Sequence, residues 1–221
     1  MSEKITGAEA LLRSIEAEGA DTIFGYPGGA IIPVFDRLYD HKDKLRHILV
    51  RHEQGATHAA QGYARVSGKT GVVFVTSGPG ATNVITGLSD AMMDSTPLVV
   101  ITGQVSSESL GSDAFQETDV IGITQPVTKW SHQIRTADEI AWAVSRAFYI
   151  ASTGRPGPVV LDFAKNAQND QNKVLKDLVA LTKARMGDKP LDFRVSIAED
   201  IPETLHGDHS NLKKIIIIKI L

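Results

Sequence analysis

One carboxylate stands out by its surroundings. Glu53 lies in Arg51-His52-Glu53-Gln54-Gly55-Ala56, just after an apolar run ending at Val50 and at the head of a segment rich in small residues. A carboxylate placed there can hold or relay a proton in general acid–base chemistry. An acidic residue in the first turn of a helix is also favoured by the helix dipole, without any chemistry. Two glycine-bearing turns accompany it, Gly25-Tyr26-Pro27-Gly28-Gly29 and Ser77-Gly78-Pro79-Gly80. Glycine at such turns removes side chains where backbone must come close to a ligand. Other chemistries fail on spacing. His52-Glu53 with His58 is no metalloprotease helix, because the second histidine is required at 56, where Ala56 stands. Ser77 has no nucleophile elbow around it, no Gly-Lys-Ser/Thr follows Gly80, and Asn83 interrupts a dinucleotide fingerprint begun at Gly78. The chain has no cysteine, which excludes thiol nucleophiles, thiolate metal sites and disulfide scaffolds.

The elements that must position these residues alternate in type. Thr6-Gly7-Ala8-Glu9 reads as a capping box opening a helix that stops at Gly19. A short strand over Thr22–Phe24 precedes a helix around Ile32–Tyr39 and a strand near Ile48–Val50. Glu53 then opens a helix containing Ala56, Ala59, Ala60 and Ala64. Gly71–Thr76 predicts a buried β-branched strand, turned by Ser77–Gly80 into one helix over Ala81–Met93, with a further strand at Pro97–Thr102. Thr136-Ala137-Asp138-Glu139 reads as a second capping box, for a helix running to Gly154, and Pro158–Phe163 is the last clear strand. Trp130 and Trp142 are most simply core or interface aromatics. Fully apolar strands separated by helices imply an α/β fold: a doubly wound, mostly parallel sheet of about six strands with helices on both faces. Ligands in such sheets sit beyond the carboxyl ends of the strands, where the turns at Gly25–Gly29, Arg51–Gly55 and Ser77–Gly80 all fall.

With 221 residues, 42% hydrophobic and 22% charged, the chain has the composition of an ordinary globular protein. A net charge of −3 provides no basic field for nucleic acid or an anionic membrane. No apolar run reaches the roughly 18 residues of a membrane span, and Met1-Ser2-Glu3-Lys4 lacks a signal core, so a cytoplasmic location is expected.

Taken together, Tyr26-Pro27-Gly28-Gly29-Ala30, Arg51–Ala56, Thr76–Asn83 and Ala114-Phe115-Gln116-Glu117 resemble the pyrimidine-binding domain of thiamine-diphosphate enzymes. They are most similar to the catalytic subunit of the acetolactate (acetohydroxyacid) synthase family, over about Ile5–Ala167. The resemblance implies thiamine diphosphate as cofactor and a 2-keto acid, pyruvate, as substrate. It gives Glu53 the family's catalytic role, a hydrogen bond to the pyrimidine ring nitrogen that favours the imino tautomer and so removal of the thiazolium proton. Tyr26, Gly28, Gly29, Thr76, Pro79 and Asn83 match the cofactor wall. Phe115 and Gln116 match the substrate end, with Gln116 a donor to developing oxyanion charge. Arg155, in Gly154-Arg155-Pro156-Gly157-Pro158, matches an arginine that contacts a mainly structural FAD. Lys165 matches a lysine at the site's mouth, although Asp162-Phe163-Ala164-Lys165-Asn166 replaces the commoner Asp-x-Pro-Lys-Asp.

The resemblance implies residues 1–167 as the pyrimidine domain. All but two of the 19 glycines and all but two of the 9 prolines precede Gln168, where a polar linker is expected to begin. A helix-compatible stretch, Val174–Arg185, follows it. Residues 168–221 carry no assigned resemblance and read as a truncated, frame-shifted or divergent tail ending in isoleucines. Gly207-Asp208-His209-Ser210-Asn211 is only superficially like a metal-diphosphate loop, since no strand precedes it. In the family, separate domains bind FAD and, through Mg2+, the diphosphate, and the site forms between subunits. A homodimer, or pairing with a diphosphate-binding domain, is therefore implied, with no activity in this chain alone. Two further readings stand beside this one: the pyrimidine chain of a split 2-keto-acid decarboxylase, and a non-catalytic interaction module.

Overall fold

The computed structural model describes residues 4–173; the segments expected at Val174–Arg185, Gly207–Asn211 and the isoleucine-rich end lie outside the described residues. Six strands form one parallel sheet: β2 (Thr22–Gly25), β3 (Arg46–Leu49), β4 (Gly71–Val75), β5 (Leu98–Gln104), β6 (Trp130–Ile134) and β7 (Pro158–Ala164). Their order is β3-β2-β4-β5-β7-β6. Helices α1 (Gly7–Ala17), α2 (Ile32–Leu38), α3 (Glu53–Ser67), α4 (Pro79–Thr82), α5 (Ile85–Met93), α6 (Val120–Thr124), α7 (Ile140–Ser152) and α8 (Lys165–Asn169) punctuate the strands. A separate antiparallel pair joins β1 (Lys4–Thr6) to β8 (Gln171–Lys173).

Period-two alternation explains why the central strands look uniformly apolar. In β4, Val72 and Phe74 pack into a core with Leu11, Ile15, Ile101 and Leu161, while Val73 and Val75 join a second core with Ala60, Leu88, Val100 and Val160. The small residues of α3 serve the second core: Ala56, Ala60 and Ala64 are buried, but Ala59 is exposed.

Several local expectations change. Thr6 does cap α1, accepting from the Glu9 N–H at 3.3 Å, but the Glu9 side chain turns to Arg13 and His41 instead. The single helix expected over Ala81–Met93 is two, because Asn83 and Val84 flatten to ψ −16° and −10° between them. At the second expected capping box, the Thr136 hydroxyl donates to the Glu139 carboxylate at 2.8 Å, and a tight single turn precedes α7. β6 was not among the expected strands: it is a half-buried edge, so its sequence lacks a continuous apolar run. There Trp130 stacks on His132, with Trp142 edge-on to both and Arg146 over the two indoles. Regular structure also continues past Ala167, where a linker was expected. Gln168 is buried in α8, its amide donating to the Ala30 and Phe163 carbonyls at 2.7 and 2.9 Å.

α1 is tied to the turn after α2 through charge. His41, its side chain 9% exposed, bonds Glu9 at 3.1 Å through Nε2 and Glu16 through Nδ1. Lys44 and Arg13 complete the cluster on Glu16 and Glu9. Burial opposes the imidazolium, but the hydrogen bonds to Glu16 and then Glu9 outweigh it and raise the His41 pKa above 6.5. A raised histidine pKa stabilises the fold fully below its unfolded value, and that contribution is lost as pH rises through the folded value. Wild type should therefore out-melt His41→Gln at about pH 6, with the gap shrinking towards about pH 9. Thermal midpoints across that range check it; a gap that widened with pH would contradict the assignment.

Candidate functional site

The strand order places a topological switch point between β2 and β4. From β2 the chain runs outward to β3, then returns to the opposite side of β2 as β4. Loops leaving adjacent strands in opposite directions open a crevice at their carboxyl ends. The two loops that flank it are those of Gly28 and Gly78.

They touch at Thr76. A Cβ on Gly28 would lie 2.5–2.7 Å from the Cβ, Cγ2 and Oγ1 of Thr76, and one on Gly80 would lie 2.8 Å from its Cγ2. The Thr76 hydroxyl accepts from the Ala30 N–H at 3.3 Å, so a single side chain gathers both turns. Gly78 has φ +53° and ψ −115°, and a Cβ there would meet the Gln116 carbonyl oxygen at 2.6 Å. Glycine is demanded twice at that position, by backbone angle and by contact.

Glu53 begins α3 immediately beyond β3, with His52 capping the helix by accepting from the Gln54 N–H at 3.2 Å. Glu53 is only 8% exposed. A carboxylate so enclosed requires a partner, and Asn83 supplies it, donating Nδ2 to Glu53 Oε2 at 2.9 Å. Oε1 lies on the side of Gly80, 3.5 Å from where a Cβ would stand. The break between α4 and α5 is therefore where the Asn83 amide leaves the chain to meet Glu53.

The structure brings Glu53, Asn83, Gly28, Gly80 and Thr76 into one contact network, with Gln116 backbone against Gly78. Tyr26 and Gly29 are exposed on the loop after β2, and Pro79 is exposed at the first turn of α4. Phe115 is 87% exposed, on the long connection that follows β5. Gln116 beside it adopts φ +58°. A left-handed conformation at a non-glycine residue costs on the order of 1–3 kcal/mol and needs its surroundings to hold it. Lys165 is exposed at the start of α8, at the carboxyl end of β7. Arg155 stands apart: it precedes β7, at the opposite edge of the sheet, and donates to Ser95 Oγ at 2.8 Å and to the Met92 and Met93 carbonyls at 2.9 and 3.0 Å.

Residues that sequence reasoning passed over hold the Gln116 loop. Glu117 accepts from the Gly111 N–H and, at 2.9 Å, from the Ala114 N–H, and these backbone bonds lower its pKa. Gln104, fully buried at the end of β5, donates to the Thr118 carbonyl at 3.0 Å. The available signal was a glutamine closing a largely apolar strand, a polar group that burial obliges to find partners.

Residues 5–123 match the family described as "Thiamine pyrophosphate enzyme, N-terminal TPP binding domain". The chain is 56% identical over 169 residues to the acetolactate synthase of Mycobacterium bovis, covering 76% of this chain and 27% of that protein. It is 56% identical over 167 residues to the acetolactate synthase large subunit of Corynebacterium glutamicum, covering 76% and 26%. The large subunit of Parasynechococcus marenigrum is 48% identical over 206 residues, 91% of this chain and 33% of that protein. A match of that extent cannot fit within residues 1–167, so the likeness runs into the segment for which the sequence suggested none. The chain thus spans a quarter to a third of the length of these relatives. A carboxylate and its amide partner, set in a glycine cradle at the switch point of a six-stranded parallel sheet, agree with that match, and the chain belongs to the thiamine pyrophosphate enzyme N-terminal domain family.

Proposed function

We propose that this chain is the pyrimidine-binding region of an acetolactate synthase, which joins pyruvate to a second pyruvate or to 2-oxobutanoate with loss of carbon dioxide, on the route to branched-chain amino acids. The observation that carries it is the enclosed Glu53 carboxylate, one oxygen held by Asn83 and the other turned to the Gly80 side of the cradle. Identity near half to relatives named acetolactate synthase supports the substrate class.

The residues fit a flat nitrogen heterocycle: glycine backbone at Gly28 and Gly80, Thr76 between them, and a carboxylate able to accept from or return a proton to a ring nitrogen. Thiamine diphosphate, when bound, supplies the carbon nucleophile that adds to a 2-keto acid and accommodates the resulting charge. Asn83 keeps Glu53 Oε2 occupied, which leaves Oε1 for the proton. Tyr26, Gly29 and Pro79 border the crevice, Gln116 donates to the keto acid, and Phe115 and Lys165 shape the approach to it. Arg155 uses Nε and Nη2 on the end of α5, which leaves Nη1 for an FAD contact at the other edge of the sheet. FAD, Mg2+ and the diphosphate are assigned mainly to parts of the enzyme beyond residues 4–173, and a paired diphosphate-binding domain, as in a homodimer, completes the site. Among the described residues no helix is long and apolar enough to cross a membrane, which accords with a cytoplasmic enzyme.

Two experiments test this. This chain alone should bind thiamine diphosphate weakly and form no acetolactate. Exchanged for the matching region of the Corynebacterium glutamicum relative, it should support acetolactate formation from pyruvate. A folded exchange protein inert towards pyruvate would overturn the proposal. In the active exchange protein, Glu53→Gln should lower kcat by roughly 10²–10⁴-fold while shifting KM far less, since an amide can bond the ring but cannot relay its proton. Gly28→Ala should do the reverse. Its Cβ has no room against Thr76, so thiamine affinity falls and the fold loses about 1–3 kcal/mol, read as a lowered urea midpoint.

A further inference from the structure

Beneath the carboxyl edge of the sheet, Asp162 in β7 is 0% exposed and takes no part in the site described above. Three donors converge on it: Thr102 Oγ1 to Oδ1 at 2.7 Å, Gln133 Nε2 to Oδ2 at 2.9 Å, and Gln104 Nε2 to Oδ2 at 3.1 Å. Both glutamine amides are fixed in orientation, because the Val105 N–H donates to Gln104 Oε1 at 2.9 Å and Arg135 Nε to Gln133 Oε1 at 2.9 Å. Their N–H groups must therefore face Asp162, and the pocket suits a group that only accepts.

Gln104 has a second task. The same Nε2 that bonds Asp162 donates to the Thr118 carbonyl, two residues beyond Gln116, whose own carbonyl backs onto Gly78. We propose that Asp162 is a positioning residue: by holding Gln104 on the Thr118 carbonyl, it keeps the Ala114–Thr118 loop, and with it the left-handed Gln116, against the Gly78 turn.

The device is sensitive to protonation. Burial pushes the Asp162 carboxyl up to about 6, against the hydrogen bonds from Gln133, Thr102 and Gln104, and the nearby Asp119 carboxylate at the start of α6 raises it further. The groups facing it are Thr102 and Gln104 from β5, Gln133 from β6 and Asp119, with Arg135 standing behind Gln133. Below about pH 6 the carboxyl gains a proton, which the Thr102 hydroxyl can rotate to accept, while Oδ2 loses the charge that drew both glutamine N–H groups to it. The longest of the three bonds, that from Gln104, yields first, and the grip on Thr118 slackens.

This rests on the proposed function only for what the loop faces; the loop's own order is measurable without cofactor. Hydrogen–deuterium exchange of the free 221-residue chain, corrected for the intrinsic pH dependence of exchange, reads segments 108–119 and, as control, β4 and α3. Wild type should protect 108–119 more at about pH 7.5 than at about pH 5, with the step near pH 6 and no matching step in the controls. Asp162→Asn and Gln104→Met should each speed exchange of that segment roughly fivefold at the higher pH and abolish the step. Gln104→Met keeps the volume and the charge of the pocket, so it decides the matter alone should Asp162→Asn fail to fold. Unchanged 108–119 exchange in the variants, or loosening shared equally with the controls, would overturn the proposal. An exchange protein inert towards pyruvate, alongside a normal loop step, would count against the proposed function alone.

Discussion

The candidate site depends on a contact that exists because two side chains are missing. Gly28 and Gly80 let the loops after β2 and β4 both close onto Thr76, whose hydroxyl and methyl carbon occupy the space that two Cβ atoms would claim. A larger residue at either position would part the loops by more than soft side chains can absorb, because a Cβ would fall 2.5–2.8 Å from Thr76 atoms. The switch point between β2 and β4 makes the crevice; the glycines make it narrow enough for backbone and carboxylate to act on the same ligand.

From that contact the rest of the machinery follows outward. The Gly78 turn, forced to positive φ, presses on the Gln116 carbonyl, so the loop after β5 is registered to the loop after β4. The α4–α5 break sends Asn83 to Glu53, which orients the acid enclosed at the crevice. Beneath, Asp162 and its three donors bind β5, β6 and β7 together and reach the same loop through Gln104. Strain at Gln116 is thus supported from two sides, by Glu117 accepting backbone N–H groups and by Gln104 holding Thr118. Backbone in a sparsely populated conformation persists only where its surroundings over-determine it.

Much of this was legible in the order of residues. The largely apolar runs at Gly71–Thr76 and Pro97–Thr102 announced strands covered on both faces, and Glu53 stood at a strand-to-helix junction, where the structure finds it. Strands at the sheet edge were harder. β6 is half-buried with three polar residues between Trp130 and Ile134, so no apolar run marks it. The continuity beyond Ala167 was hidden for a related reason: Gln168 looks like linker chemistry, yet it is buried because two carbonyls accept from it. Polarity predicts exposure only when no partner is waiting inside.

The sequence by itself determined the class of sheet, the strands at its centre and the glycine-bearing turns and acidic helix start at their carboxyl ends, since period, glycine placement and motif order are properties of the chain alone. Only the tertiary structure decided which of those residues meet. Glu53 and Asn83 are 30 residues apart, and Thr102 and Asp162 are 60, yet each pair shares a hydrogen bond. Tertiary packing likewise separated Arg155 from the crevice and drew Gln104 and Asp162 towards it. Hydrogen bonds between distant residues depend on strand order and on which face each side chain takes, and both are set by burial of the whole sheet rather than by local spacing.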